Sequence, residues 1–209
     1  MKKIDLSLYL VTDRDLTQDR PIEEIVKEAV EGGVTIVQIR EKKCTSLDFY
    51  ECAMRVKSIL APYDIPLIIN DRVDIALAVD ADGLHIGQSD LPYAIARKLL
   101  GPNKIIGLSV ENKEQAYAAN SLDVDYIGLS PVFYTNTKSD IAPALGLDGI
   151  KEIAKISKHR MVGIGGINIT NAKAIVDSGA EGVAVISAIL CHKNPKQAAE
   201  ELAECIRKN

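Results

Sequence analysis

The sequence has no surplus of positive charge, no long apolar run and no cysteines at metal-binding spacing. Its 209 residues hold 25 Lys and Arg against 29 Asp and Glu, a formal charge of −4. Proteins that neutralise nucleic-acid phosphates or an anionic bilayer need the opposite balance. Nucleic-acid and membrane partners are therefore not expected, although local basic clusters remain available for a small anionic ligand. No apolar stretch approaches the roughly 20 residues that span a bilayer, and MKKIDLSLYLV is too short and too polar for a secretory leader. Cys44, Cys52, Cys191 and Cys205 form no CxxC pair. Free thiols in a reducing cytoplasm are the expectation. Linkers, low-complexity tracts and repeats of solenoid length are also missing, and no Ser–His–Asp order or reactive-cysteine context stands out.

What is present is a regular alternation. Hydrophobic residues make up 47% of the chain, enough for one sizeable core. Eight short apolar runs read as strands: 6–12, 35–40, 66–70, 83–87, 105–110, 126–130, 161–166 and 182–187. Between and after them lie stretches with apolar residues at three- and four-residue steps, such as PIEEIVKEAVEGG and LDGIKEIAKIS. Strands apolar on both faces belong to parallel sheets covered by helices. Pro21, Pro92 and Pro195 stand near helix starts, and Gly32-Gly33 and Gly179 near helix ends. The pattern predicts α/β architecture: a single (β/α)8 TIM barrel over residues 1–209. A doubly wound open sheet shares the pattern, because periodicity does not reveal closure. The pattern carries no signal for an oligomeric state.

In such a barrel, chemistry sits where the strands end, and the unusual polar residues collect there. Gln38, Arg40 and Lys42 end the second strand; Asn70 and Asp71 end the third. Gln88 and Asp90 follow the fourth, and Ser109 lies on the fifth. Thr135, Thr137 and Lys138 follow the sixth, in the long connection PVFYTNTKSDIAPALG (131–146), whose length suggests a lid or binding loop. Gly165-Gly166 and Ser187 end the seventh and eighth. Two acids, three cations and glycine or serine turns suit a divalent metal with several phosphates. Magnesium takes one or two protein carboxylates plus phosphate oxygens, which makes Asp71 and Asp90 candidate ligands; either could instead cap the helix that follows it, an alternative that weighs equally with metal binding only for Asp90. Glycine at the seventh strand lets backbone amides approach a phosphate. GIGGIN is no dinucleotide fingerprint, since Asn168 stands where the last glycine belongs. His85, inside the fourth strand, reads as a structural imidazole. His159 and His192 suggest no role.

At LYLVTDR, GGVTIVQIREK, LIINDRVDIALAVDADGLHIGQSDLP, IIGLSV, SPVFYTNTKSD, GIGGI and GVAVISAI the chain resembles the thiamine phosphate synthase family. The resemblance covers nearly the whole length. It implies a (β/α)8 barrel transferase of thiamine biosynthesis. The family joins a 4-amino-2-methylpyrimidine-5-methylene group, carried as its diphosphate, to the ring nitrogen of a thiazole phosphate and releases pyrophosphate. By resemblance Gln38, Arg40, Glu41, Lys42, Asn70, Ser109 and Lys138 hold the pyrimidine diphosphate, with Arg40, Ser109 and Lys138 closest to the chemistry. Asp71 and Asp90 bind Mg2+, the implied cofactor. Thr135, Asn136, Thr137, Gly166, Ile186 and Ser187 receive the thiazole phosphate. Glu41, Asn136 and Ile186 enter through the motifs alone. Relatives that act as thiazole tautomerases break the NDR and HIGQSD motifs and carry a histidine beside the VF of the sixth-strand loop. Here both acids are present and Pro131 precedes Val132-Phe133, which favours the synthase over a tautomerase or a non-catalytic precursor-binding protein. Tyr134 departs from the proline frequent at that place, which bears on loop conformation.

Overall fold

The eight apolar runs become eight four- to six-residue strands: β1 (Leu8–Val11), β2 (Ile36–Ile39), β3 (Leu67–Asn70), β4 (Gly83–Ile86), β5 (Ile105–Val110), β6 (Tyr126–Leu129), β7 (Met161–Ile164) and β8 (Gly182–Val185). The computed structural model describes residues 4–135 and 142–207. Every strand pairs in parallel with the next, and β8 returns to β1 through Leu8–Val183, Tyr9–Ala184 and Leu10–Val185. The sheet is a closed barrel in chain order, which settles the choice against an open sheet.

The helices lie outside: α1 (Ile22–Glu31), α2 (Ser46–Leu60), α3 (Val73–Ala78), α4 (Tyr93–Leu100), α5 (Lys113–Ala119), α6 (Gly146–Ala154), α7 (Ala172–Asp177), α8 (Ser187–Leu190) and α9 (Pro195–Ile206). Helix α1 shows the logic. Pro21 immediately precedes it, where a missing N–H leaves no ladder bond unmade. Its buried positions Ile22, Ile25, Val26, Ala29 and Val30 recur at three- and four-residue steps. Gly32 follows, donating its amide to Glu28 and Ala29. Helix α8 was not expected: Ser187 opens a short helix rather than closing β8. No helix among the described residues is long and apolar enough to cross a membrane.

Strand side chains alternate between two apolar layers. One fills the barrel: Leu6, Tyr9, Val11, Ile36, Ile68, Ile105, Tyr126, Val162 and Ala184. The other, far larger, joins strands to helices through residues such as Leu10, Val37, Ile39, Ile69, Leu84 and Ile106. That parity determines which residues reach the barrel mouth.

Candidate active site

Continuing the inward parity past each strand leads into one cleft. Ile36 points inward, so Gln38 and Arg40 follow it; Ile105 is followed in the same way by Gly107 and Ser109. Beyond Tyr126 come Gly128 and Ser130, and beyond Ala184 comes Ile186. Gln38, Arg40, Lys42, Asn70, Asp71, Asp90, Ser109, Thr135, Gly166, Ile186 and Ser187 all line a cleft of about 570 Å³. Tyr9, Val11, His85, Gln88, Gly128, Val162 and Ala184 also line it. Asn136, Thr137 and Lys138 lie outside the described residues.

Glu41 is the exception. It is out of phase with Gln38 and Arg40, and it is not among the cleft residues. Its side chain is 3% exposed and meets Arg14 in a two-pronged pair, Nε to Oε2 at 3.1 Å and Nη2 to Oε1 at 3.0 Å. Glu41 offers its carboxylate to Arg14. The pair holds the Arg14 guanidinium above its ordinary pKa.

The two acids come together. Asp71 takes a left-handed backbone, φ 61°, which Asp tolerates better than most residues. Its amide donates to the carbonyl of His85 at 2.9 Å, extending the β3–β4 ladder by one residue. Its carboxylate pairs with the Lys42 ammonium. Asp90 folds back onto its own loop and accepts from the Gly87 amide at 2.6 Å. Neither residue caps a helix: α3 and α4 begin after Arg72 and Pro92 with no side-chain cap. Burial, and the Asp71 carboxylate beside it, push the Asp90 carboxyl above its usual range, against the pull of the Gly87 amide and Lys42.

This donor set fits magnesium. Two hard carboxylates meet at one point, and the ionised form of one is disfavoured by the other, a conflict that a divalent cation relieves. No group of three or more His, Cys, Asp or Glu side chains suited to a metal occurs among the described residues. Asp71 and Asp90 would hold such an ion by two carboxylates, with water and phosphate as the ligands magnesium accepts for the rest.

The cations around the acids are held in place. Arg40 Nη1 donates to Asp13 Oδ2 at 2.7 Å, and Lys43 Nζ to Asp15 at 2.9 Å. With Arg14–Glu41, three ion pairs bind the segment after β1 to the segment after β2. Asp13 and Tyr9 were not picked out from sequence; the signal for Tyr9 was its inward phase in LYLV.

Across the cleft, Gly165 and Gly166 have φ of 103° and 65°. A Cβ on Gly166 would sit 2.5 Å from the carbonyl oxygen of Tyr134, so only glycine lets these two loops approach. The connection after β6 is anchored at its described ends: Val132 and Phe133 donate to Ile164 and Gly165, and Leu145 and Gly146 donate to Pro131 and Val132.

A family profile described as "Thiamine monophosphate synthase" matches residues 8–189. The thiamine-phosphate synthase of Clostridium acetobutylicum is 47% identical over 209 residues, covering 100% of this chain and 99% of that protein. That of Vibrio campbellii is 52% identical over 200 residues, covering 96% and 98%. The solved structure of thiamine phosphate pyrophosphorylase from Pyrococcus furiosus matches with a TM-score of 0.88 at 39% identity, covering 97% of this chain and 96% of that one. With the profile spanning most of the chain and relatives near half identical from end to end, the chain belongs to the thiamine monophosphate synthase family.

Proposed function

We propose that the chain catalyses the family's transfer: 4-amino-2-methyl-5-(diphosphooxymethyl)pyrimidine reacts with a thiazole phosphate to give thiamine phosphate and pyrophosphate. The observation that carries this is that Asp71 and Asp90, with Lys42 paired to Asp71, share one cleft with Arg40 in a chain so similar to thiamine-phosphate synthases. Magnesium held by Asp71 and Asp90 would supply positive charge against the departing diphosphate.

The electron-rich aminopyrimidine can delocalise the positive charge left on its methylene, so bond cleavage ahead of attack is the economical route. The protein then has little covalent work and mainly holds charges and nucleophile in position. Arg40 presents a planar fork to the diphosphate once it exchanges Asp13 for phosphate oxygens. Lys42, and Lys138 from the connection after β6, add point charges. Gln38, Asn70 and Ser109 offer hydrogen bonds to the pyrimidine diphosphate. Thr135, Gly166, Ile186 and Ser187 would receive the thiazole phosphate and aim its ring nitrogen at the methylene, with Asn136 and Thr137 added by the family motif alone. The connection 131–146 would exclude water from the reacting carbon. On this reading the whole barrel acts as one domain in the cytoplasm on small molecules, an address that four unbridged cysteines suit.

The test is purified protein with both substrates, with and without magnesium, scored for thiamine phosphate and pyrophosphate. Metal-dependent formation of both products is expected. Aromatised thiazole alone, or binding without turnover, would replace the transferase by a tautomerase or a binding protein.

A further inference from the structure

In the wall of the cleft, five side chains form an unbroken file of hydrogen bonds across the barrel, four of them lining the cleft and Tyr126 behind them. Gln38 Nε2 donates to the Tyr9 hydroxyl at 2.6 Å. The Tyr9 hydroxyl lies 2.8 Å from that of Tyr126. The Tyr126 hydroxyl lies 3.0 Å from His85 Nδ1, and His85 Nε2 lies 2.8 Å from Ser109 Oγ.

The direction of the file follows from its first member. An amide nitrogen only donates, so the Tyr9 oxygen accepts and its single proton passes to Tyr126. The Tyr126 oxygen accepts that proton and passes its own to His85 Nδ1. An Nδ1 that accepts leaves the ring proton on Nε2, which donates to Ser109 Oγ. The serine hydrogen is then left to point elsewhere, and Ser109 lines the cleft. The reverse arrangement, an imidazolium or an Nδ1–H ring, would send two donors to the Tyr126 oxygen and strand its hydrogen in the interior, where unpaired polar groups are costly.

We propose that this file fixes His85 as the Nε2–H tautomer and turns the Ser109 hydroxyl into a hydrogen-bond donor aimed at the pyrimidine diphosphate, with Tyr9, Tyr126 and His85 as positioning residues; the proposal rests on the function given above. Its expected acceptor on the substrate is a ring nitrogen or a phosphate oxygen.

The fold is built around this file. Tyr9 and Tyr126 are fully buried and meet edge to face, with centroids 5.9 Å apart, and Tyr126 stacks on His85 at 5.6 Å. Burial raises both phenols above their ordinary pKa, so each keeps the proton that the file needs. A Cβ at Gly107 would lie 2.2 Å from Tyr126 Cζ and 2.6 Å from His85 Nδ1. The glycine of IIGLSV is therefore the space through which the Tyr126–His85 bond passes. Tyr126 itself does not line the cleft, so removing its hydroxyl changes nothing that a substrate touches directly.

The test uses 15N-labelled protein, whose three histidines give few ring-nitrogen signals to resolve. In the wild type, His85 should show a proton-bearing Nε2 and a bare Nδ1. In Tyr126→Phe the ring should lose that single tautomer, and kcat should fall on the order of tenfold while KM for both substrates stays within about twofold. Tyr9→Phe, which removes the upstream donor, should disturb the tautomer more weakly; because Tyr9 lines the cleft, this variant is judged on the nitrogen spectrum alone and serves if Tyr126→Phe does not fold. A wild-type His85 that is cationic or carries its proton on Nδ1 overturns the proposal. So does a variant whose tautomer changes without loss of kcat, or one in which neither changes. If the wild type makes no thiamine phosphate, the functional reading fails and the aim at a pyrimidine diphosphate fails with it, whereas the tautomer is judged from the nitrogen spectrum alone.

Discussion

Arg40 and Asp13 face each other at 2.7 Å with 18% and 14% of their side chains exposed, so the guanidinium best placed for a diphosphate already has an anionic partner. Asp13 also accepts from the Asp15 amide at 3.1 Å, shaping the turn after β1. On the proposed function, ligand binding would exchange one anion for another on Arg40.

Asp13→Asn keeps an oxygen for that turn and removes the competing charge. Inorganic pyrophosphate should bind roughly fivefold more tightly to this variant than to the wild type, read by calorimetric titration. Weaker binding would mean that Asp13 aims Arg40 rather than competing for it.

Asp71→Asn should lower turnover by about 10²–10³ at saturating magnesium, the usual loss on removing one preorganised stabiliser, with little change in thermal midpoint. Unaltered turnover would take Asp71 out of the mechanism. Asp90 makes a companion prediction in pH. Its folded pKa lies above the unfolded value, so ionisation is harder in the fold than in the free chain. Asp90 therefore subtracts stability at neutral pH, and this loss is recovered as pH falls through the raised pKa. Without metal at neutral pH, Asp90→Asn should melt no lower than the wild type. Adding magnesium should raise the wild-type midpoint and leave the variant unmoved, a contrast that differential scanning fluorimetry reads directly.

Glu41→Gln distinguishes a structural carboxylate from a ligand-binding one. Breaking its pair with Arg14 should cost about 1 kcal/mol in chemical denaturation. KM for the pyrimidine diphosphate should change less than about twofold. A large rise in KM at unchanged stability would return Glu41 to the substrate.

Gly166→Ala places a Cβ against the Tyr134 carbonyl at a residue with φ 65°. The loops must separate, and KM for the thiazole phosphate should rise several-fold while that for the pyrimidine diphosphate holds. Parallel steady-state titrations of the two substrates decide it; equal rises in both would point to a general loosening of the barrel mouth.

Much of this was readable before any coordinates. Strand and helix periods differ enough that all eight strands and every helix but α8 follow from spacing, and Asp71 announces itself by interrupting an apolar run at a strand end. Closure was not readable, because the β1–β8 pairing joins residues 8–10 to 183–185 and no local pattern encodes a contact so distant. Glu41 falls outside the cleft, which a shared motif does not reveal because it names residues without their phase; counting by twos from Ile36 turns it outward. The Tyr9–Tyr126 contact, 117 residues apart, escaped for the same reason as closure. Gly107 looked like an ordinary strand glycine because its purpose is visible only from the rings that cross it.

Tyr9, Val11, Val162 and Ala184 belong to the apolar filling of the barrel and also to the wall of the cleft. Recognition surface and structural keystone are here the same atoms. An engineer who wishes to widen the substrate range by reshaping that wall will be repacking the barrel with each substitution. New ligand preferences should be sought at the mouth, around Thr135 and Ser187, where side chains can be exchanged without disturbing what keeps the strands together.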